Sequence, residues 1–106
     1  MVDNATKARV RGHNKAVRAK LAALAKAAEA LKAWRKANAR TQARFALELG
    51  VARPTLAFWE LGRGRPDITT AVAIEAATNG ALRVETFGYS AESALKLARM
   101  RAGSAA

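Results

Sequence analysis

Apolar residues recur every three or four positions over residues 14–38, which is the spacing of one face of an α-helix. The members of this stripe are Val17, Leu21, Leu24, Ala28 and Leu31. Asn14 precedes the stripe and suits a helix N-cap. We expect the second half of this helix to pack on a core. A domain this small does not have enough core to cover the first half as well. We therefore expect the first half either to form an apolar seam between two subunits or to face the phosphates of a nucleic acid.

The next apolar runs, between residues 41 and 66, are interrupted by a sharp corner at Gly50. Thr41 suits an N-cap, and a short helix after it places three apolar side chains on one face. These side chains are Phe45, Ala46 and Leu49. Gly50 permits the positive φ of a helix C-terminal turn, so Val51 is free to return to the core.

A second short helix restarts almost at once. Proline is tolerated in the first turn of a helix, so Pro54 predicts a start near Ala52 or Arg53. Leu56 and Trp59 form the buried face of this helix, and Gly62 and Pro66 close it. Two short helices joined by a glycine turn form a helix-turn-helix, whose second helix is presented outward for the major groove of DNA.

The remaining pattern predicts two more helices. Asp67 suits an N-cap for a helix that ends at Asn79 and Gly80, after which apolar residues return to the core. A last amphipathic segment spans residues 91–101, before a flexible end at 102–106. We therefore predict an all-α bundle of about five helices with a long basic first helix. Its parts are a flexible basic arm (1–13), the helix-turn-helix domain (14–87), and a C-terminal helix with a flexible tail (88–106).

The charge distribution points to a polyanionic partner. The 106 residues carry a net charge of +11, and residues 1–40 alone hold eleven lysines and arginines against two acids, a net charge of +9. Such a one-sided positive field attracts nucleic acid first and anionic membrane second, although basic tails also serve solubility. No stretch is long enough to span a bilayer, so we expect a cytoplasmic protein.

The composition argues against catalysis and metal binding. There is no cysteine, and His13 is the single histidine. A thiolate metal site is therefore excluded, and neither a histidine-based metal site nor a nucleophilic triad has the residues it needs close in sequence. The segment GRGRP, residues 62–66, lacks the lysine and hydroxyl of a nucleotide-binding phosphate loop. We expect no enzyme activity, no cofactor and no metal.

A set of ordered residues resembles the phage-repressor/Cro (XRE-like) DNA-binding domain over roughly residues 30–87. The matching positions are Thr41, Gln42, Ala46, Leu49, Gly50, Val51, Leu56, Trp59, Glu60, Gly62 and Pro66. Residues 73–87 also look like the YdaS/Cro-like branch. Two positions depart from the pattern: Ala52 stands where a capping serine is usual, and Arg40 replaces an apolar residue. The resemblance implies that an arginine on the first helix, here Arg35, pairs with Glu60. It also implies a bacterial protein associated with the nucleoid.

The outward side of the second short helix supplies the predicted base contacts, which are Arg53, Pro54, Thr55, Ala57 and Phe58. The planar fork of Arg53 suits a guanine edge, with a phosphate contact as the alternative. Pro54, Ala57 and Phe58 suit thymine methyl groups, although an aromatic such as Phe58 is as often part of a core. The predicted phosphate contacts are Lys36, Arg40, Thr41, Gln42, Arg44, Arg63 and Arg65; that of Gln42 is implied by the resemblance.

The leading functional hypothesis is a sequence-specific transcription regulator, a repressor of phage or mobile-element type that binds a palindromic operator in double-stranded DNA as a homodimer. Either the seam of the first helix or the last helix supplies the dimer interface. The alternative is an antitoxin that autoregulates through the same domain while residues 88–106 neutralise a protein toxin. A third hypothesis is a non-specific nucleic-acid-binding adaptor that uses the basic arm and first helix.

Overall fold

The structure is a computed structural model that describes the backbone of residues 4–105 and the side chains of residues 14–100. Its described part is all-α, as predicted, and contains no β-strand. The helices are α1 (Asn4–Ala37), α2 (Gln42–Leu49), α3 (Arg53–Glu60), α4 (Ile68–Ala77) and α5 (Ala91–Ala105). A short 3-10 helix, Val84–Phe87, lies between α4 and α5.

The outer helices are longer than the apolar pattern predicted. The expected start of α1 at Asn14 is wrong, because the backbone is already helical from Asn4 and thus includes residues 4–13 of the predicted arm. That segment has no proline and is rich in alanine, lysine and arginine, which propagate a helix well. Likewise α5 continues to Ala105, through most of the predicted flexible end. Residues 1–3 and 106 of these predictions lie outside the described residues.

The apolar stripe of α1 divides into two parts. Ala28 and Leu31 are buried, which confirms that the second half of the helix packs on the core. Val17 and Leu21 are 41% and 55% exposed, and Leu24 is half-buried. The first half of α1 therefore lies beyond the reach of the core, as expected for a domain of this size.

The core lies where α1, α2, α3, α4 and the 3-10 helix meet. One fully buried side chain from each of these elements reaches it: Leu31, Phe45, Leu56, Ile74 and Val84. Burying a side chain of this size contributes about 1.5–3 kcal/mol each. On the α1 side, the rings of Trp34 and Phe45 pack with their centroids 5.3 Å apart. The core thus places α2 and α3 on a rigid base.

Local side-chain bonds define where the short helices begin. The Thr41 hydroxyl accepts a hydrogen bond from the Arg44 amide at 3.1 Å, which confirms Thr41 as the N-cap of α2. Asp67 caps α4 in the same way, through the Thr70 amide at 2.8 Å. Such caps satisfy backbone donors that a helix start leaves unpaired.

Candidate nucleic-acid interface

The corner between α2 and α3 has the predicted glycine geometry. Gly50 takes a φ of 72°, in the left-handed region where a side chain would be strained. The Val51 amide donates to the Ala46 carbonyl at 3.0 Å, and the Gly50 amide donates to Leu47. These bonds end α2 and turn the chain, because they satisfy carbonyls at the helix terminus. The next helix then begins at Arg53.

The start of α3 depends on backbone geometry rather than on a capping side chain. Ala52 is the N-cap residue and makes no side-chain cap bond, which agrees with the departure from the family pattern seen in the sequence. Pro54 lies in the first turn, where its missing amide costs nothing and its fixed φ favours the helix. Arg53, Pro54 and Thr55 are all exposed at this end.

One side of α3 is anchored in the domain. Leu56 is fully buried, and Trp59 and Glu60 are also buried, as the apolar spacing predicted for the first two. On the other side Ala57 is half-buried and Phe58 is 46% exposed. Of the two roles predicted for Phe58, a core residue and a base contact, its exposure contradicts the first. The outward side of α3 is open to a ligand.

A buried ion pair fastens the end of α3 to α1. Arg35 Nε donates to Glu60 Oε2 at 2.8 Å, and Arg35 Nη2 donates to Oε1 at 2.9 Å. A third bond, from Nη1, reaches the Arg40 carbonyl at 2.9 Å. The hydrogen bonds that Arg35 donates to the Glu60 carboxylate raise the pKa of the Arg35 guanidinium, although burial opposes the shift. The predicted pairing is confirmed, and its two-pronged geometry holds α3 at a defined angle.

Gln42 takes part in the same network. Its Nε2 donates to Glu60 Oε1 at 3.3 Å, so its side-chain amide has an internal partner. Among the described residues, no buried side-chain nitrogen or oxygen lacks a hydrogen-bond partner. The polar centre behind α2 and α3 is thus complete without a ligand. A phosphate contact by Gln42 stays a prediction.

Two of the other predicted phosphate contacts, Arg40 and Arg44, share one acidic partner. Glu48 accepts from Arg40 Nε at 3.0 Å and from Arg44 Nε at 3.2 Å. The hydrogen bond from Arg40, and to a smaller extent that from Arg44, lowers the pKa of Glu48. The Arg40 guanidinium also lies 5.2 Å from the centre of the Trp34 ring. Both arginines are therefore partly neutralised by Glu48, and Arg40 is also held against the Trp34 ring.

The two arginines of the loop after α3 have different environments. Arg63 is exposed. Arg65 donates from Nη1 to the Phe87 carbonyl at 3.1 Å and lies 4.4 Å from the centre of the Tyr89 ring. These contacts tie the loop to the 3-10 helix, which the sequence did not reveal. Both arginines are predicted phosphate contacts. Arg65 would have to give up its bond to Phe87 to reach a phosphate, whereas the structure shows no such bond between the Arg63 side chain and the residues that it describes.

The comparison with protein families agrees with this geometry. A model of the helix-turn-helix family matches residues 31–84, just over half of the chain, from the buried part of α1 to the first residue of the 3-10 helix. The chain belongs to the helix-turn-helix family. The match is consistent with the phage-repressor/Cro (XRE-like) type, and the chain is a DNA-binding regulator of that type. Comparisons with curated proteins and with solved structures gave no match.

The end of α3 carries an outward residue that the sequence analysis missed. Leu61, the C-cap residue of α3, is 66% exposed. The signal that could have found it is the apolar spacing of Pro54, Phe58 and Leu61, which are four and then three residues apart. Gly62 follows Leu61 and marks a closing turn, so the apolar spacing did not extend the outward side of α3 to Leu61.

Two further kinds of feature, a cluster of metal ligands and a membrane-spanning helix, are not found in the described part of the helix-turn-helix protein. No group of three or more histidine, cysteine, aspartate or glutamate side chains that could hold a metal ion occurs among the residues described. Within the same residues, no helix combines the length and the apolar character needed to cross a bilayer. The side chain of His13 lies outside the described residues.

Proposed function

We propose that this helix-turn-helix protein is a sequence-specific transcription regulator that places α3 in the major groove of double-stranded DNA. The observation that supports the proposal is the division of α3 into two sides. Leu56 and Trp59 anchor it from behind, while Arg53, Pro54 and Thr55 are exposed. A helix of this kind, held rigidly and open on one side, suits base readout in the major groove.

Each predicted contact has a role in this arrangement. Arg53 donates two hydrogen bonds to a guanine edge, a contact worth about 1–3 kcal/mol of discrimination against other bases. Thr55, Ala57, Pro54 and Phe58 complete the base-facing side. The exposed cations Lys36, Arg44 and Arg63 contact phosphates and fix the register, as such residues do without reading sequence. Thr41 and Gln42 add a helix N-terminus, where free backbone amides favour an anion.

The protein acts as a homodimer and as a repressor of phage or mobile-element type. One helix in one groove rarely yields a specific site, so two copies bind a pseudo-palindromic operator. The half-site centres then lie about 34 Å apart, one turn of DNA. Repression follows when the operator overlaps a promoter and the bound dimer occludes it.

The decisive experiment is selection of preferred sequences from random duplex DNA with the full chain, followed by footprinting of the winner. We expect one motif with a dyad and half-sites about one helical turn apart. A motif without a dyad contradicts the dimer. Equal affinity for selected and scrambled duplexes at the same salt contradicts specificity and leaves a non-specific nucleic-acid adaptor.

An antitoxin is the second candidate function. It is favoured by the apolar surface of α5, where Leu95 is 53% exposed and lies outside the helix-turn-helix. In that case a protein toxin co-purifies with the chain, and Leu95→Glu releases it while DNA binding persists. Loss of operator binding in the same variant would instead identify α5 as the dimer interface. This substitution is preferable to removing residues 88–106, because Tyr89 donates to the Pro66 carbonyl at 2.8 Å and supports the domain.

A further inference from the structure

The most outward direction of α3 is apolar. Successive residues of a helix point about 100° apart, so Pro54, Phe58 and Leu61 fall within a sector of about 60°. This sector lies opposite the buried Leu56 and Trp59. Leu61 is the C-cap residue directly after α3, so the helical residues before it set the direction in which its side chain leaves the backbone. We call these three side chains the apolar ridge of α3.

The position of the Phe58 ring in the ridge is set by Gly64. A Cβ added at residue 64 would collide with the ring, so the ring lies directly against the backbone of the following loop. Glycine at this position lets the loop pass beneath the ring. Phe58 is thus supported on one side by the chain and is still 46% exposed on the other.

The hydrogen-bonding residues of α3 flank the ridge. Arg53 and Thr55 each lie about 100° from Pro54, on opposite sides of it. Arg53 is exposed, as is Arg63 in the loop beyond the ridge. A helix seated centrally in the major groove therefore directs apolar groups to the base edges at its centre and polar groups to the edges at its sides.

We propose that the apolar ridge reads thymine 5-methyl groups, and that Phe58 is the specificity-determining residue for this contact. The inference rests on the proposed function. In unmodified DNA the thymine methyl is the apolar group that base edges offer in the major groove. Charge favours DNA over an apolar protein partner here, because Arg53 and Arg63 adjoin the ridge. The half-site therefore contains one or two thymines under Phe58 whose methyl groups, rather than their hydrogen-bonding atoms, are recognised.

The test replaces each thymine of the selected operator by deoxyuridine, one at a time, which removes a methyl group and keeps base pairing. Affinity is measured with the full chain by fluorescence anisotropy at one salt concentration. We expect about a fourfold loss at each contacted thymine, the value of one buried methyl, and none at thymines outside the half-sites. Loss of affinity at no thymine overturns the proposal.

Two variants assign the effect to its residue. In Phe58→Ala, the loss of affinity caused by replacing a contacted thymine with deoxyuridine should fall below about twofold. Arg53→Ala should keep the full loss, because Arg53 contacts another base. If Phe58→Ala binds too weakly to measure, Phe58→Leu takes its place and should show a smaller penalty than the unmodified protein. An unchanged penalty in the Phe58 variants overturns the inference. Failure to select any preferred sequence overturns the proposed function itself and is recognised before deoxyuridine is used.

Discussion

The two sides of α3 differ in what holds them. The inner side has many partners: Leu56 lies in the core, and Glu60 bonds Arg35 of α1. On the outer side, Arg53 and Pro54 are exposed, and Phe58 rests against Gly64. The inner side therefore determines that the helix exists and how it is oriented, while the outer side is free to match DNA. Substitutions on the two sides should affect different measurements.

The largest effect is expected for Trp59→Ala on the inner side. Removing a buried aromatic lowers the free energy of unfolding by about 3–5 kcal/mol, measured by urea denaturation. Phe58→Ala is a matched control, since it removes an aromatic from the neighbouring position on the outer side. We expect less than about 1 kcal/mol there. Equal destabilisation by both would contradict the distinction between the two sides.

Arg35→Ala is expected to be nearly as destabilising, at about 3 kcal/mol, because it leaves the Glu60 carboxylate buried without its cation. Chemical denaturation at pH 7 measures the loss. Arg44→Ala, which removes an exposed partner of Glu48, is the control and should cost less than about 1 kcal/mol. A small loss for Arg35→Ala would show that the pair does not secure α3.

On the outer side, Arg53→Ala should leave the free energy of unfolding unchanged and reduce discrimination at one base pair by about 1–3 kcal/mol. Binding to the operator and to single-base variants measures this. Arg83→Ala is a charge-matched control, because the side chain of Arg83 is exposed and paired with Glu85 at 3.4 Å. If Arg53→Ala keeps the same preferred sequence and affinity, the assignment of Arg53 as a base contact is wrong.

A smaller effect is expected for Glu48→Gln, which releases Arg40 and Arg44 from their shared acid. Both arginines then meet phosphate with full charge, so affinity should rise by a few-fold for operator and random DNA alike, with a steeper salt dependence. Titrations at two salt concentrations measure this. A rise confined to the operator would indicate base readout through this cluster instead.

The same acid gives a small pH dependence of stability. The folded protein holds the pKa of Glu48 below its ordinary value of 4.5. Its stabilisation is therefore present above pH 4.5 and is lost as the pH falls through the lower folded value. The difference in urea midpoint between the unmodified protein and Glu48→Gln should narrow from pH 6 to pH 3. A difference that is constant over this range would contradict the effect.

The helix-turn-helix corner was predictable because its signals are local. Thr41 caps, Gly50 turns and Pro54 starts a helix by their own backbone chemistry, and each does so in the structure. The extent of α1 and α5 was not predictable from apolar spacing, since good helix formers continue a helix without apolar contacts. The internal use of Arg65 was missed because Phe87 and Tyr89 lie more than twenty residues away in sequence.

The sequence by itself determined the fold class, the family and the inner side of α3, because helix propensity, capping and apolar spacing act between residues close along the chain. The tertiary structure decided which polar and charged side chains have partners inside the protein. Arg40 and Arg44 share Glu48, Gln42 bonds Glu60, and Arg65 is held by the 3-10 helix. Such pairings depend on distances between separate elements, and these distances exist only once the core has brought the helices together.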